Sequence, residues 1–139
     1  MVVAAASPCF ADTFFFLALL NASDVKHHQL AINANPVDRP IVTTAWILLE
    51  LADHLCDVGN RHLFPEVLQA LHADRRVRTL PADQALLEQA IDLYRRRPDK
   101  SWSLTDCTSF VVMAAEGISG ALTADHHFEQ AGFKALLKI

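Results

Sequence analysis

The strongest constraint on this chain is an alternation: short, mostly apolar runs are separated by longer stretches whose apolar residues recur at helical spacing. The runs are Cys9 to Ala11, Ile41 to Thr43, Val77 to Leu80, Gly120 to Thr123 and Phe133 to Leu137. Runs this short and apolar suit strands buried on both faces, as in a parallel sheet, and parallel neighbours need crossovers that helices supply. The predicted fold is therefore α/β, a three-layer α/β/α sandwich around a short parallel sheet of about five strands.

The helical stretches fill the gaps. Thr13 to Leu20 and His27 to Ala34 flank a turn at Asn21 to Asp24, with Ser23 or Asp24 as a cap. Ala45 to Asp57 stops near Gly59, and Leu63 to Ala73 follows. Ala82 to Arg97 is ended by Pro98, which has no amide to continue the ladder, and Leu104 to Glu116 opens at Ser103. Leu80-Pro81 and Arg97-Pro98-Asp99 read as loops rather than linkers, and no internal repeat is visible, so one domain is expected across residues 1–139.

A chain of 139 residues that is 52% hydrophobic can bury a core without disulfides or a structural metal. No apolar run reaches the ~18 residues a spanning helix needs, which predicts a soluble protein with no membrane partner. The apolar start, with Phe14 to Leu20, is split by Asp12 and preceded by no Lys or Arg, so it reads as core rather than as a targeting signal. The three cysteines, Cys9, Cys56 and Cys107, form no Cys-x-x-Cys pair and fit a reducing cytoplasm. A net charge of −4 excludes a broad basic face, so any nucleic-acid contact has to be local.

In an open parallel sheet, ligands sit beyond the carboxyl ends of the strands. An acid just after a strand, or in the first turns of the next helix, faces that crevice. Asp12 directly follows the first run, and Asp125 closely follows the run ending at Thr123. Glu50 lies within Ala45-Trp46-Ile47-Leu48-Leu49-Glu50-Leu51-Ala52, where every other residue is apolar. It is either a functional acid or the solvent-facing side chain of a buried helix. Asp106 closes Ser103-Leu104-Thr105-Asp106, a capping-box pattern, and capping does not exclude metal binding. For Asp12 and Asp125 the competing reading is a turn or cap acid.

Gathered within a few ångströms, four carboxylates require either protonation or a bound cation. Oxygen-only ligation suits Mg²⁺ or Mn²⁺ rather than Zn²⁺. The chemistry such an ion supports is in-line attack of water on a phosphodiester. Asp12 and Asp106 are then the central ligands, Glu50 a ligand or the group orienting the water, and Asp125 a ligand to a second, weaker ion.

These segments resemble the PIN domain, in particular the toxin half of VapBC-type bacterial toxin-antitoxin pairs. Asp12-Thr13 followed by an apolar helix resembles the first motif, and Glu50 within Thr44 to Ala52 the second. Ser103-Leu104-Thr105-Asp106-Cys107 resembles the third, and Thr123-Ala124-Asp125-His126-His127-Phe128 the fourth. The resemblance covers most of the chain. It implies a five-stranded parallel sheet between helices, Mg²⁺ or Mn²⁺ binding, and cleavage of RNA by a homodimer until an antitoxin protein occludes the site. Residue by residue, the family's acids fall on Asp12, Glu50, Asp106 and Asp125, and its small polar supporting positions on Thr13, Ser103 and Thr123. Two departures stand out. Phe14 follows the Asp-Thr pair where a small polar residue is common, and the Met1 to Pro8 lead-in is longer than a minimal member needs.

Other features carry two readings each. Arg95, Arg96, Arg97 and Lys100 are either a solvated helix end complementing the helix dipole or a local hold on an RNA backbone. Trp102 either stacks a base or packs. The Phe14 to Leu20 run is core by default, with any surplus available to a dimer face or an antitoxin groove. His27-His28 and His126-His127 read as surface or packing residues ahead of zinc ligands, with His127 a hydrogen-bonding candidate beside Asp125.

Competing functions fit less well. A receiver-type phospho-acceptor domain wants an adjacent acid pair after its first strand, whereas Asp12 stands alone. A haloacid-dehalogenase phosphatase wants Asp-x-Asp, which Asp12-Thr13-Phe14 does not supply. A non-catalytic PIN-like binding module keeps the fold without the ions, and the presence of all four acids argues against it.

Overall fold

The computed structural model describes residues 7–35 and 39–139. Most of the long lead-in, residues 1–6, lies outside them, so the reading of the chain's start as core applies from Ser7 onward, where Cys9 and Phe10 are fully buried. The elements run β1 (Cys9–Ala11), α1 (Thr13–Leu20), α2 (Val25–Ala34), β2 (Ile41–Thr44), α3 (Ala45–His54), α4 (Leu63–Ala73), β3 (Val77–Leu80), α5 (Gln84–Arg96), α6 (Leu104–Glu116), β4 (Gly120–Leu122), α7 (His126–Gln130) and β5 (Lys134–Ala135).

Most boundaries follow from caps. Asp24 accepts from the His27 amide and starts α2 at Val25, while Asp83 accepts from Leu86 and starts α5 at Gln84. α3 ends at His54, three residues short of the expected Asp57, because the Asp57 carbonyl takes the Asn60 and Arg61 amides into a turn of its own. α6 ends on Gly117 at φ 68°, a left-handed conformation that a side chain would strain. β5 is shorter than the expected Phe133 to Leu137 run, although the Leu136 and Leu137 amides still reach the carbonyls of Ala121 and Thr123. α7 was not expected from the sequence.

All five strands are parallel, in the order β3-β2-β1-β4-β5. The chain therefore steps outward from β1 to β3, then crosses back to lay β4 on the other side of β1. Where connections from adjacent strands leave in opposite directions, a crevice opens at the carboxyl ends. Here that crevice lies between β1 and β4. Register fixes it: Phe10 pairs with Ala121 and Ala11 with Leu122, so Asp12 and Thr123 come next on neighbouring strands.

The core explains the apolar runs. Phe10, Ile47, Leu51, Met113, Leu122, Phe128 and Leu137 are fully buried, each contributing about 1.5–3 kcal/mol relative to exposure. Phe110 joins the layers by edge contacts with Trp102 and Phe128. α1 packs on α2 and α3, α5 on α6, and α3 also meets α6, which brings the helix of Glu50 to the helix of Asp106.

Candidate active site

Asp12 ends the central strand and is 7% exposed. Although it occupies the cap position of α1, its carboxylate caps nothing. The Thr123 hydroxyl donates to Asp12 Oδ2 at 2.8 Å instead. That hydroxyl oxygen also accepts from the Asp125 amide at 3.1 Å, so one buried threonine ties the β1 acid to the β4 acid. Beneath Asp12, the Thr43 hydroxyl donates to the Ala11 carbonyl at 2.9 Å and fixes the end of β1 against β2. Phe14, in the position where the family pattern favours a polar residue, sits edge-on to His27 and leaves Asp12 to Thr123.

Glu50 is not a free solvent-facing side chain. Thr44 caps α3 immediately after β2, which sets Glu50 in the second turn. There it is half-buried, and the buried Thr13 hydroxyl donates to its Oε1 at 2.5 Å. Asp106 fills both roles its sequence allowed. Ser103 Oγ accepts from the Asp106 amide at 2.9 Å, and Asp106 Oδ2 accepts from the Ser103 amide at 3.1 Å, a complete capping box. The same Oδ2 lies 3.2 Å from His127 Nδ1. Asp125 caps α7, its Oδ1 accepting from the His127 amide at 2.9 Å, with His127 Nδ1 3.4 Å away.

Electrostatics link the four acids. Burial pushes the Asp12 carboxyl up to about 7, against the Thr123 hydrogen bond, and the charges of Asp106 and Glu50 add to the rise. Asp106 is also raised, first by burial and then by Asp125, with the Ser103 amide and His127 opposing. No three of these carboxylates have oxygens within 4.8 Å of one another, and a cation drawing them together would relieve both causes at once. The donors on Asp12, Glu50 and Asp106 are hard carboxylate oxygens, which fit Mg²⁺ or Mn²⁺.

The basic group behaves differently. Arg96 pairs with Asp92 at 2.9 Å, and Arg97 is held bidentate by Asp99 while lying over the Trp102 ring. Trp102 packs: it is 5% exposed and its indole N–H donates to Gln130. Among the described residues, no side-chain hydrogen bond or ion pair within 4 Å involves Arg95 or Lys100, although the Lys100 charge helps to lower Asp99. They border a concavity of about 320 Å³, which Cys107 joins to the start of α6.

Two contacts went unforeseen. His127 was expected beside Asp125, but its reach to Asp106 was not, and neither was the Thr13 to Glu50 bond. The Asp125-x-His127 spacing held a signal, since a cap acid that accepts the amide two residues on brings that residue's side chain alongside.

A PIN domain family model matches residues 9–134. The chain is 34% identical over 130 residues to the 23S rRNA-specific endonuclease VapC20 of Mycobacterium tuberculosis in sequences from two strains, covering 89% of this chain and 94% of that protein. The crystal structure of M. tuberculosis VapC20, a sarcin-ricin loop cleaving toxin, superposes with a TM-score of 0.79 at 29% identity, covering 92% of this chain and 96% of that one. VapBC2 from Rickettsia felis, solved bound to a DNA fragment from its promoter, shares the fold at a TM-score of 0.65 and 12% identity, with coverage of 94% and 97%.

Proposed function

This chain belongs to the PIN domain family, and we propose that it is a divalent-metal-dependent endoribonuclease, the toxin of a VapBC-type toxin-antitoxin pair. The observation that carries this is Asp12, a buried acid at the strand switch point whose carboxyl is lifted to about 7 in the company of Glu50 and Asp106. Such an arrangement is costly unless a cation is its purpose. The strand order β3-β2-β1-β4-β5 also differs from the 2-1-3-4-5 order of a receiver domain.

Bound at these acids, Mg²⁺ or Mn²⁺ supplies the charge that polarises a phosphodiester and makes water a nucleophile near neutral pH. The chain's own residues do the rest. Thr123 orients Asp12, Thr13 orients Glu50, and Ser103 orients Asp106, so each carboxylate reaches the crevice from a fixed root. Arg95 and Lys100 contact the RNA backbone beside α6, while Arg96 and Arg97 are already neutralised by neighbouring acids. The protein works in the cytoplasm as a single nuclease unit spanning residues 1–139. Exposed Tyr94 and Leu104, which border one concavity, serve a homodimer, and the apolar concavities flanking α1, about 440 and 240 Å³, accept the antitoxin.

The test is cleavage, with Mg²⁺, of an RNA hairpin bearing the sarcin-ricin loop, the target named for VapC20. Asp12→Asn and Asp106→Asn are each expected to lower the rate about a thousandfold, roughly 4 kcal/mol of lost barrier reduction. Undiminished cutting by both variants overturns the assignment.

A further inference from the structure

We propose that Asp125, His126 and His127 form a second metal position with nitrogen donors, one that prefers a borderline transition ion such as Co²⁺ or Zn²⁺ to Mg²⁺. This deepens the nuclease reading, on which the identity of the neighbouring acid site rests, but it is read out independently of cleavage.

The ligand atoms of these three residues already lie within 4.8 Å of one another, and no other trio of His, Cys, Asp or Glu donors among the described residues is so closely gathered. Asp125 Oδ1 is 3.4 Å from His127 Nδ1 and 3.7 Å from His126 Nδ1. Two donors about 2.1 Å from a common ion stand roughly 3.0–3.5 Å apart at octahedral or tetrahedral angles. The observed separations need little adjustment to meet that.

The chain presets this geometry. Asp125 takes the His127 amide, which folds the His127 ring beside the carboxylate, and the fully buried Phe128 anchors the turn. The His127 side chain is 20% exposed, whereas His126 is 69% exposed with its ring 4.4 Å from that of His127. His127 is thus the fixed ligand and His126 the one that swings in. Asp106 Oδ2 shares a hydrogen bond with this same His127 Nδ1 at 3.2 Å, so the position abuts the acid site and an ion there has to take the nitrogen from Asp106.

Donor chemistry then sets the selectivity. Mg²⁺ demands oxygen ligands and dehydrates reluctantly, while imidazole suits first-row transition ions in the order that rises towards copper. The two positions therefore sort ions differently: oxygen-only around Asp12, mixed nitrogen and oxygen around Asp125.

Co²⁺ is the probe. The untagged full chain is titrated with Co²⁺ in excess Mg²⁺, without RNA, and visible absorption reports nitrogen-ligated Co²⁺. One Co²⁺ per chain is expected to persist against Mg²⁺ and to be displaced by Zn²⁺. His127→Gln should weaken it at least about tenfold, His126→Ala by less, and the double variant should abolish it. A far-UV melt establishes that each variant is folded, and His126→Ala carries the test if His127→Gln is not. Displacement of all Co²⁺ by Mg²⁺, or wild-type Co²⁺ affinity in the folded variants, overturns the proposal. Failure of the nuclease reading shows elsewhere, as Asp12→Asn protein that still cuts RNA in Mg²⁺ alone.

Discussion

The two halves of the acid cluster hold their carboxylates by opposite means. Asp12 and Glu50, from the first part of the chain, are held by the buried hydroxyls of Thr123 and Thr13. Asp106 and Asp125, from the last part, are held by backbone amides as helix caps and share the His127 ring. A hydroxyl donates one neutral hydrogen bond and leaves the charge of Asp12 poorly compensated in a dry place, so its carboxyl rises to about 7. Asp12 also stands at a helix start, that of α1, but makes no cap bond there, whereas Asp106 and Asp125 accept backbone amides at theirs. Asp12 is therefore the acid most in need of a cation, and Asp106, raised as well but held by the Ser103 amide and His127, is the next.

That contrast breaks first in stability. Because folding raises the Asp12 carboxyl from 3.8 to about 7, its contribution is fully present below pH 4 and is lost as the pH rises through 7. Removing the charge with Asp12→Asn should stabilise the metal-free protein at pH 8 by on the order of 2–4 kcal/mol and leave it unchanged at pH 4. Urea melts in EDTA at the two pH values measure this; an equal gain at both contradicts the assignment. The next effect is on rate. Thr13→Val frees Glu50 and should slow RNA cleavage about 10–100-fold with little change in melting, and Thr13→Ser should restore it. The smallest lies in the later half, where Ser103→Ala removes one cap bond and should cost about 1 kcal/mol in a denaturant melt. A cost near zero there would mean that Asp106 alone holds the helix start.

Much of this was legible in the sequence. Buried strands declare themselves as short apolar runs, and acids at strand tips point to the crevice, so the sheet and the candidate quartet could be read directly. Long-range partners could not. Thr123 reaches Asp12 across 111 positions only because β1 and β4 pair in one register, and no local pattern encodes that. α7 has five residues, too few to show a period. Charge at Arg95 to Lys100 was visible, but not that Asp92 and Asp99 would occupy half of it, nor that Gln130 would hold Trp102 inside.

The back-crossing of the chain after β3 has a consequence for synthesis. Asp12, Glu50 and β2 on one side of β1 are made early, yet Asp106, Asp125 and β4 on its other side come only after β3 and α5. A nascent chain therefore carries half a blade and no edge. On the proposed function, the acid cluster is incomplete until β4 and the acids on either side of it have been made.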